Sequence, residues 1–325
     1  MIKVGKITLK NPFLQAPLSG YSDYAMRKLA RDFGCELTFI GVMLAKSASN
    51  PRVLRKSVFR PRDDEHPIGA QILGTDPKKM AKAACDLHNA DYDIIDLNFA
   101  CPAPKVLRRG RGGALIDQPD LAIEIFNTVR DRLDCPLMVK IRIGVDSSSQ
   151  SRNNFWKITQ AVIDNGADAV AIHGRTVEEK YRANADWDIL AQAKSEFPNS
   201  NLLGSGDLLK AQNVMDFFKK TKMDGAVIAR GAIGNPWIFQ RLTQMLDGDP
   251  NPPLPDIKEQ KRVILEHFEL LCELYKPSKA VRYYRKFLAN YCRIEPNRKK
   301  ARSEIVTAKT PEQLLAAIDK WYPAD

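Results

Sequence analysis

Cys101 is the residue of this chain whose type and setting could do chemistry most directly. It lies near the end of the run Asp93-Ile-Ile-Asp-Leu-Asn-Phe-Ala-Cys-Pro102, and Pro102 has no N–H with which to extend a sheet ladder. Ile94, Ile95 and Leu97 form a short apolar run, the pattern of a strand buried on both faces. A thiol just past such a strand stands where α/β folds assemble their active sites. Lys105, Arg108, Arg109 and Arg111 follow, interleaved with Gly110, Gly112 and Gly113. A thiol under a flexible basic loop fits chemistry on an anionic substrate. The plainer alternative is a buried cysteine beside a solvated charge run.

The elements that must position this thiol can be read from the apolar pattern. A hairpin-like start, Val4 to Leu9, leads into Pro12–Pro17. Seven further strand-like runs follow: Glu36–Met43, Pro67–Gly74, Tyr92–Ala100, Pro136–Gly144, Asp168–Arg175, Asn201–Leu208 and Gly225–Ile233. Helical patterns fill most gaps: from a Ser22 or Asp23 cap to about Phe33, Asp76-Pro77 through His88, and near Asp120–Arg132, Phe155–Asn165, Trp187–Phe197, Lys210–Lys220 and Trp237–Leu246. Eight strands alternating with helices predict an α/β fold, a (β/α)8 TIM barrel. A doubly wound sheet would usually have fewer strands and a glycine fingerprint after the first one, and neither G-x-G-x-x-G nor a P-loop occurs. Four prolines in Gly248–Pro255 forbid helix there. Helical patterns then resume at Lys258–Leu274, Lys279–Cys292, Arg298–Thr307 and Pro311–Trp321. The expected organisation is a catalytic barrel over residues 1–247, a proline-rich linker over 248–256 and a C-terminal all-helical domain over 257–325.

Composition narrows the partners. No apolar run reaches the length of a membrane span, and Met1-Ile-Lys-Val-Gly-Lys6 lacks the apolar core of a signal peptide. Six cysteines stand singly with no C-x-x-C pair, which argues against a zinc site or a disulfide framework and for a reducing, cytoplasmic setting. The net charge of +11 points to a polyanion. Ten Lys/Arg against one acid, Glu295, fall between Lys276 and Arg302. Val281, Tyr284, Leu288 and Tyr291 recur there at helical spacing, so one face packs and another carries the charge. Arg282, Arg285 and Lys286 are the candidates to meet nucleic acid, where a merely solvated face would mix both signs.

In a barrel the C-terminal strand ends converge, which gathers Pro17-Leu18-Ser19, Gln71, Asn98 with Cys101, Lys140 with Arg142, His173 with Arg175, Ser205-Gly206-Asp207 and Ala229-Arg230-Gly231. Small residues after the last two strands let backbone N–H groups approach a phosphate, and Arg230 adds charge. Lys140 sits inside the apolar strand Leu137-Met-Val-Lys-Ile141 and needs an anionic partner. Singly, each has a bland reading: an ion pair, a core histidine, a turn former.

Together these residues resemble the tRNA-dihydrouridine synthases, and the likeness spans nearly the whole chain. The family's A-P-M, strand-three glutamine, N-x-G-C-P, strand-five lysine, H-G-R-T, N-G-D and G-R appear as Ala16-Pro17-Leu18, Gln71, Asn98-Phe-Ala-Cys-Pro102, Lys140, His173-Gly-Arg-Thr176, Ser205-Gly-Asp207 and Ala229-Arg230. Cys101-Pro-Ala-Pro-Lys-Val106 and Gly234-Asn-Pro-Trp-Ile-Phe239 look most like the bacterial B-type members. Leu18, Ala100, Ser205 and Ala229 depart from the motifs.

The resemblance implies an FMN enzyme that uses NADPH to reduce the C5–C6 double bond of uridines in tRNA, with Cys101 as proton donor to C5. It implies FMN contacts from Pro17, Leu18, Ser19, Gln71, Lys140, His173, Ser205, Gly206, Asp207, Ala229 and Arg230. Substrate contacts would come from Asn98, Arg142 and Arg175, no metal is expected, and the chain would act as a monomer. The rival readings are a flavin barrel reducing a free pyrimidine, a synthase acting on ribosomal RNA, and a non-catalytic RNA-binding barrel.

Overall fold

A computed structural model of the chain describes residues 1–292 and 297–323. Arg293 and Glu295, part of the basic stretch, lie outside the described residues. An antiparallel hairpin of β1 (Ile2–Val4) and β2 (Ile7–Leu9) comes first. The barrel strands are β3 (Phe13–Gln15), β4 (Thr38–Phe39) continued by β5 (Met43–Leu44), β6 (Ile68–Leu73), β7 (Ile94–Phe99), β8 (Leu137–Arg142), β9 (Ala169–His173), β10 (Leu202–Ser205) and β11 (Gly225–Ile228). All pair in parallel in the order β3-β11-β10-β9-β8-β7-β6-β4, with β5 also against β6. The backbone N–H of Gln15 reaches the Leu37 carbonyl at 3.1 Å across the remaining seam. This is the nearly closed (β/α)8 barrel expected of the alternating pattern.

Side chains alternate inward and outward along each strand. The inward apolar layer is Leu14, Leu37, Phe39, Ile94, Met138, Ala169, Ala171, Leu203 and Val227, and Ile2, Val4 and Leu9 of the hairpin close it from below. The outward residues form a second, larger core with the surrounding helices. Sequence and structure differ mainly at element ends. The helix expected from Phe155 begins at Ser149, because the Ser148 hydroxyl caps it by accepting the Ser151 N–H at 3.2 Å. The second strand breaks between Phe39 and Met43, where the pattern shows one run.

Residues 248–255 form neither helix nor strand, and helices Ile257–Leu274, Pro277–Tyr291, Arg298–Thr307 and Pro311–Trp321 follow. This helical region shares one continuous core with the barrel helices. Tyr291 meets Trp237 edge-on at 5.9 Å, and Phe287 meets Tyr21 at 5.4 Å. Among the described residues no helix is long and apolar enough to cross a membrane.

His267 is buried among Tyr284, Phe287 and Tyr291, with ring centroids 4.9, 4.5 and 5.8 Å away, and its Nδ1 lies 2.9 Å from the Tyr291 hydroxyl. Burial, helped by the Lys286 charge, pushes its pKa down to about 3. A base depressed by folding is neutral in both states at high pH, and the unfolded chain takes up its proton first as pH falls. Stability is therefore lost from about pH 6.5 downward until the folded ring also titrates. His267→Phe should remove this dependence: between about pH 4 and 6, its unfolding free energy should fall with pH less steeply than the parent's, by up to about 1.4 kcal/mol per pH unit. Denaturant titrations across that range measure the difference.

Candidate active site

Strand register lifts a set of polar side chains onto the apolar layer. Gln71 pairs with Asp96 across β6 and β7, Asn98 with Lys140 across β7 and β8, and His173 with Arg142 and Ser205 on its two sides. Gln71 Nε2 donates to Asp96 Oδ2 at 2.7 Å, and Asn98 Nδ2 donates to Gln71 Oε1 at 2.6 Å. Asn98 Oδ1 accepts the backbone N–H groups of Ala100 and Cys101 at 3.0 and 2.9 Å, which shapes the turn that presents the thiol. On the adjoining strands, Lys140 Nζ donates to Ser205 Oγ at 2.9 Å, and that hydroxyl lies 3.0 Å from His173 Nδ1. Five residues expected at the site thus fall into two short hydrogen-bonded chains lying side by side where Asn98 meets Lys140.

Asp96 was not among the expected residues. Its signal is the alternation Ile94, Asp96, Asn98, which puts one carboxylate on the inward face of a run that otherwise reads as apolar throughout. Asp96 is 2% exposed, and burial raises its pKa against the opposing pull of the Gln71 hydrogen bond and the Lys140 charge. Lys140 and His173 are each half-buried. Burial lowers the Lys140 pKa while Asp96 opposes the shift. His173 is held well below its ordinary range by burial and then by Arg142, Lys140, Arg175 and Arg230, so its ring is neutral. His173 Nε2 and Asp96 Oδ1 are buried and have no hydrogen-bond partner among the described residues.

A ring of guanidinium groups lies above. Arg175 is 2% exposed; its Nη2 donates to both oxygens of Asp207 at 2.6 Å and its Nε donates to the Ala183 carbonyl at 2.6 Å. Burial works against the Asp207 charge, yet Arg175, the Ala185 N–H at 2.8 Å and Arg230 hold its carboxyl below the usual range. Arg230 Nη2 lies 3.4 Å from Asp207 Oδ1. Gly206 has φ +123°, and a Cβ there would come within 2.6 Å of the Ala185 methyl, so only glycine fits the turn below Asp207. Arg142, expected to touch substrate, is 3% exposed and donates to the carbonyls of Ala100, Thr176 and Lys180 at 2.8, 2.8 and 3.1 Å. Tyr181, 55% exposed, sits 5.0 Å from the Arg230 guanidinium.

The remaining expected residues lie around this centre. Pro17 and Leu18 are half-buried and Ser19 exposed in the turn after β3, where the Leu18 N–H donates to Ser22 Oγ at 2.8 Å. Ala229 leads from β11 into the turn that carries Arg230. The loop with exposed Lys105, Arg108 and Arg109 folds back so that the Gly113 N–H meets the Cys101 carbonyl at 3.1 Å. The three tail cations have different fates. Arg282 is exposed, and Arg285 donates to the Ala308 carbonyl at 2.7 Å. Lys286 donates to the Gly20 carbonyl and stacks on Tyr283, 3.0 Å from its ring centre.

A parallel barrel with a buried carboxylate, lysine and neutral histidine beneath an arginine ring, and a thiol on the next loop, is the architecture of a barrel enzyme. The family model described as dihydrouridine synthase (Dus) matches residues 14–322. A "tRNA-dihydrouridine synthase B" of Pasteurella multocida is 33% identical, covering 99% of this chain and 96% of its own. That of Escherichia coli K12 is 32% identical over 99% of both chains, and a "Probable tRNA-dihydrouridine synthase" of Rickettsia conorii is 31% identical over 99% and 96%. The chain belongs to the dihydrouridine synthase family and is an enzyme. A solved 2-naphthoyl-CoA reductase in complex with 2-naphthoyl-CoA shares the fold, with TM-score 0.60 and 11% identity, over 77% of this chain and about half (52%) of that one.

The Arg175–Asp207 pair should bear on stability. Asp207→Ala leaves a buried guanidinium unpaired, its Nη1 already without a partner, and should cost about 3 kcal/mol in a denaturant titration. Arg230→Ala, removing a more exposed partner of the same carboxylate, should cost under about 1 kcal/mol.

Proposed function

We propose that this enzyme reduces the C5–C6 double bond of uridines in tRNA to 5,6-dihydrouridine, with FMN as cofactor and NADPH as the source of reducing equivalents. The observation that carries the reading is the polar cluster under Cys101, in a chain matched almost end to end by the dihydrouridine synthase model. The residues fit FMN on their own chemistry. His173 Nε2 and Asp96 Oδ1 are buried polar atoms awaiting partners, Lys140 has ammonium hydrogens to spare, and Arg230 at the strand-end turns brings positive charge suited to a phosphate. Gln71, Lys140, His173 and Ser205 would hold the ring, the turn at Pro17, Leu18 and Ser19 would flank it, and Gly206, Asp207, Ala229 and Arg230 would hold the phosphate.

A reduced FMN held by these residues would supply the hydride chemistry needed at C6 of the base. Cys101 holds a proton at Sγ and gives it to C5 from the opposite face, acting as a general acid. Asn98 fixes the turn that carries the thiol, and Arg142 ties together the loops at Ala100, Thr176 and Lys180 beside it. Arg175 is positioned to bring positive charge to the base or its phosphate. The uridine must leave the RNA stack to enter the barrel, at a cost of a few kcal/mol. Phosphate contacts from exposed Lys105, Arg108, Arg109 and Arg282 would offset that cost. In this reading the barrel, residues 1–247, carries the chemistry, and the helical domain, residues 257–325, carries RNA as a monomer in the cytoplasm.

The test is dihydrouridine formation on tRNA with NADPH and purified, flavin-loaded protein. Cys101→Ala should keep the flavin and the NADPH half-reaction while product formation falls about 10²–10⁴-fold. A parental rate would remove the thiol from the chemistry, and a folded protein that takes up no FMN would remove the reading itself. Arg282→Ala should make the salt dependence of tRNA binding shallower by up to about one unit, with the NADPH half-reaction unchanged.

A further inference from the structure

Two turns at the barrel mouth meet the same helix of the tail. The turn after β3 is shaped from within: the Leu18 carbonyl accepts the Tyr21 and Ser22 N–H groups at 2.9 and 3.0 Å, and Ser22 Oγ accepts the Leu18 N–H at 2.8 Å. None of these bonds uses the Gly20 carbonyl. It takes both its donors from helix Pro277–Tyr291: the Tyr283 hydroxyl at 2.7 Å and the Lys286 ammonium. Among the described residues, these two are the hydrogen bonds that reach Pro17–Tyr21 from outside the turn. The Lys286 ammonium lies among three rings, 3.0 Å from the centre of Tyr283, 4.9 Å from Tyr21 and 5.1 Å from Phe287. Asp23, buried at the head of the next helix, supplies the opposing charge.

The same helix rests on the turn after β11. Gly234 has φ +59°, and a Cβ there would stand 2.7 Å from the Phe287 carbonyl oxygen and 2.9 Å from the Tyr291 backbone nitrogen. Helix backbone therefore touches the segment that follows Arg230, which Asn235 Nδ2 closes by donating to the Gly231 carbonyl at 2.9 Å. β3 and β11 are neighbours in the sheet, so one helix spans the loops of two adjacent strands. In the function proposed above, one of those loops flanks the flavin ring and the other holds its phosphate. We propose that helix Pro277–Tyr291 is a clamp on the cofactor site, and that Lys286 is a positioning residue that acts on FMN through the turn after β3 rather than an RNA contact. This inference rests on the function proposed above. The inner bonds of the turn set its shape, and the two tail donors set where its apex, and with it Pro17–Ser19, stands beside the mouth.

The experiment titrates the flavin-free full-length chain with FMN, measures tRNA binding against salt, and follows amide hydrogen exchange by mass spectrometry. Lys286→Met keeps the apolar stem and removes the charge. Its FMN dissociation constant should rise about tenfold or more, and peptides covering residues 16–22 should exchange faster while β9 and β10 do not. The salt dependence of tRNA binding should stay parental. Lys286→Arg, which can still donate to Gly20 and stack on Tyr283, should return FMN affinity to within about threefold of the parent. Gly234→Ala, which pushes the helix away from the other turn, should also weaken FMN binding. Parental FMN affinity in Lys286→Met overturns the proposal. A salt slope then shallower by about one unit returns Lys286 to the RNA, and faster exchange throughout the barrel makes the contact structural only. Should Lys286→Met not fold, Tyr283→Phe, which removes only the other donor to Gly20, decides: weaker FMN binding with faster exchange at residues 16–22 supports the clamp, and parental values refute it. A parent that takes up no FMN would instead tell against the proposed cofactor, and the exchange pattern would still judge the clamp.

Discussion

The site depends on one electrostatic constraint: a carboxylate and an ammonium taken into the same barrel interior. Asp96 and Lys140 each cost several kcal/mol to remove from water, and each offsets the other's cost because both face inward from the neighbouring strands β7 and β8. The apolar layer below makes the constraint severe. Ile94, Met138, Ala171 and Leu203 fill the barrel under the polar residues, and the β1–β2 hairpin excludes water from beneath. In that medium hydrogen bonds become stronger and unpaired groups more costly, so Gln71, Asn98 and Ser205 act as spacers that join charge to backbone and charge to imidazole.

The arginine ring extends the same logic upward. Arg142, Arg175 and Arg230 bring three positive charges to the mouth, and Asp207 pairs with two of them. Arg142 instead meets three carbonyl oxygens, so it binds loops together without neutralising its charge. Burial first, and then the residual positive field, keeps His173 neutral, and that field favours an anion. A neutral histidine beside a lysine can donate without adding a second full charge to the interior, a division of labour that neither residue could perform alone.

Much of this was legible in the sequence, because a parallel strand advertises itself by its apolar run and its end by the first turn residues. Gln71, Asn98, Lys140, His173 and Ser205 were found from strand ends, and they meet because all those ends point one way. Asp96 was hidden by its apolar neighbours: Ile95 and Leu97 face the helices, and a run read as buried on both faces conceals its inward alternation. Arg142 was visible, but what it touches was not, since its partners are carbonyls of loops far along the chain. Composition names a charged side chain. Only the fold says whether that charge is spent inside or left at the surface.

The helical tail makes the same point about charge. Its basic face reads from sequence as one surface, but a helix face is divided by whatever packs near it. Lys286 lies where the helix meets the turn after β3, so its ammonium finds the Gly20 carbonyl and the Tyr283 ring, and burial lowers its pKa to about 8. The Tyr283 hydroxyl donates to the same carbonyl at 2.7 Å. Gly20 directly follows Pro17-Leu18-Ser19, so the tail grips the turn that flanks the site. Arg285 is likewise committed, to Ala308, which ties its helix to the end of the next. Arg282, three positions before Arg285, stays in solvent. The excess charge of the tail therefore does two jobs: one cation seats the helices on the barrel beside its mouth, and others remain exposed. A helix seated by one cation at the turn after β3 holds its exposed cations at a fixed distance from the barrel mouth, the geometry that a long polyanion reaching into the barrel requires.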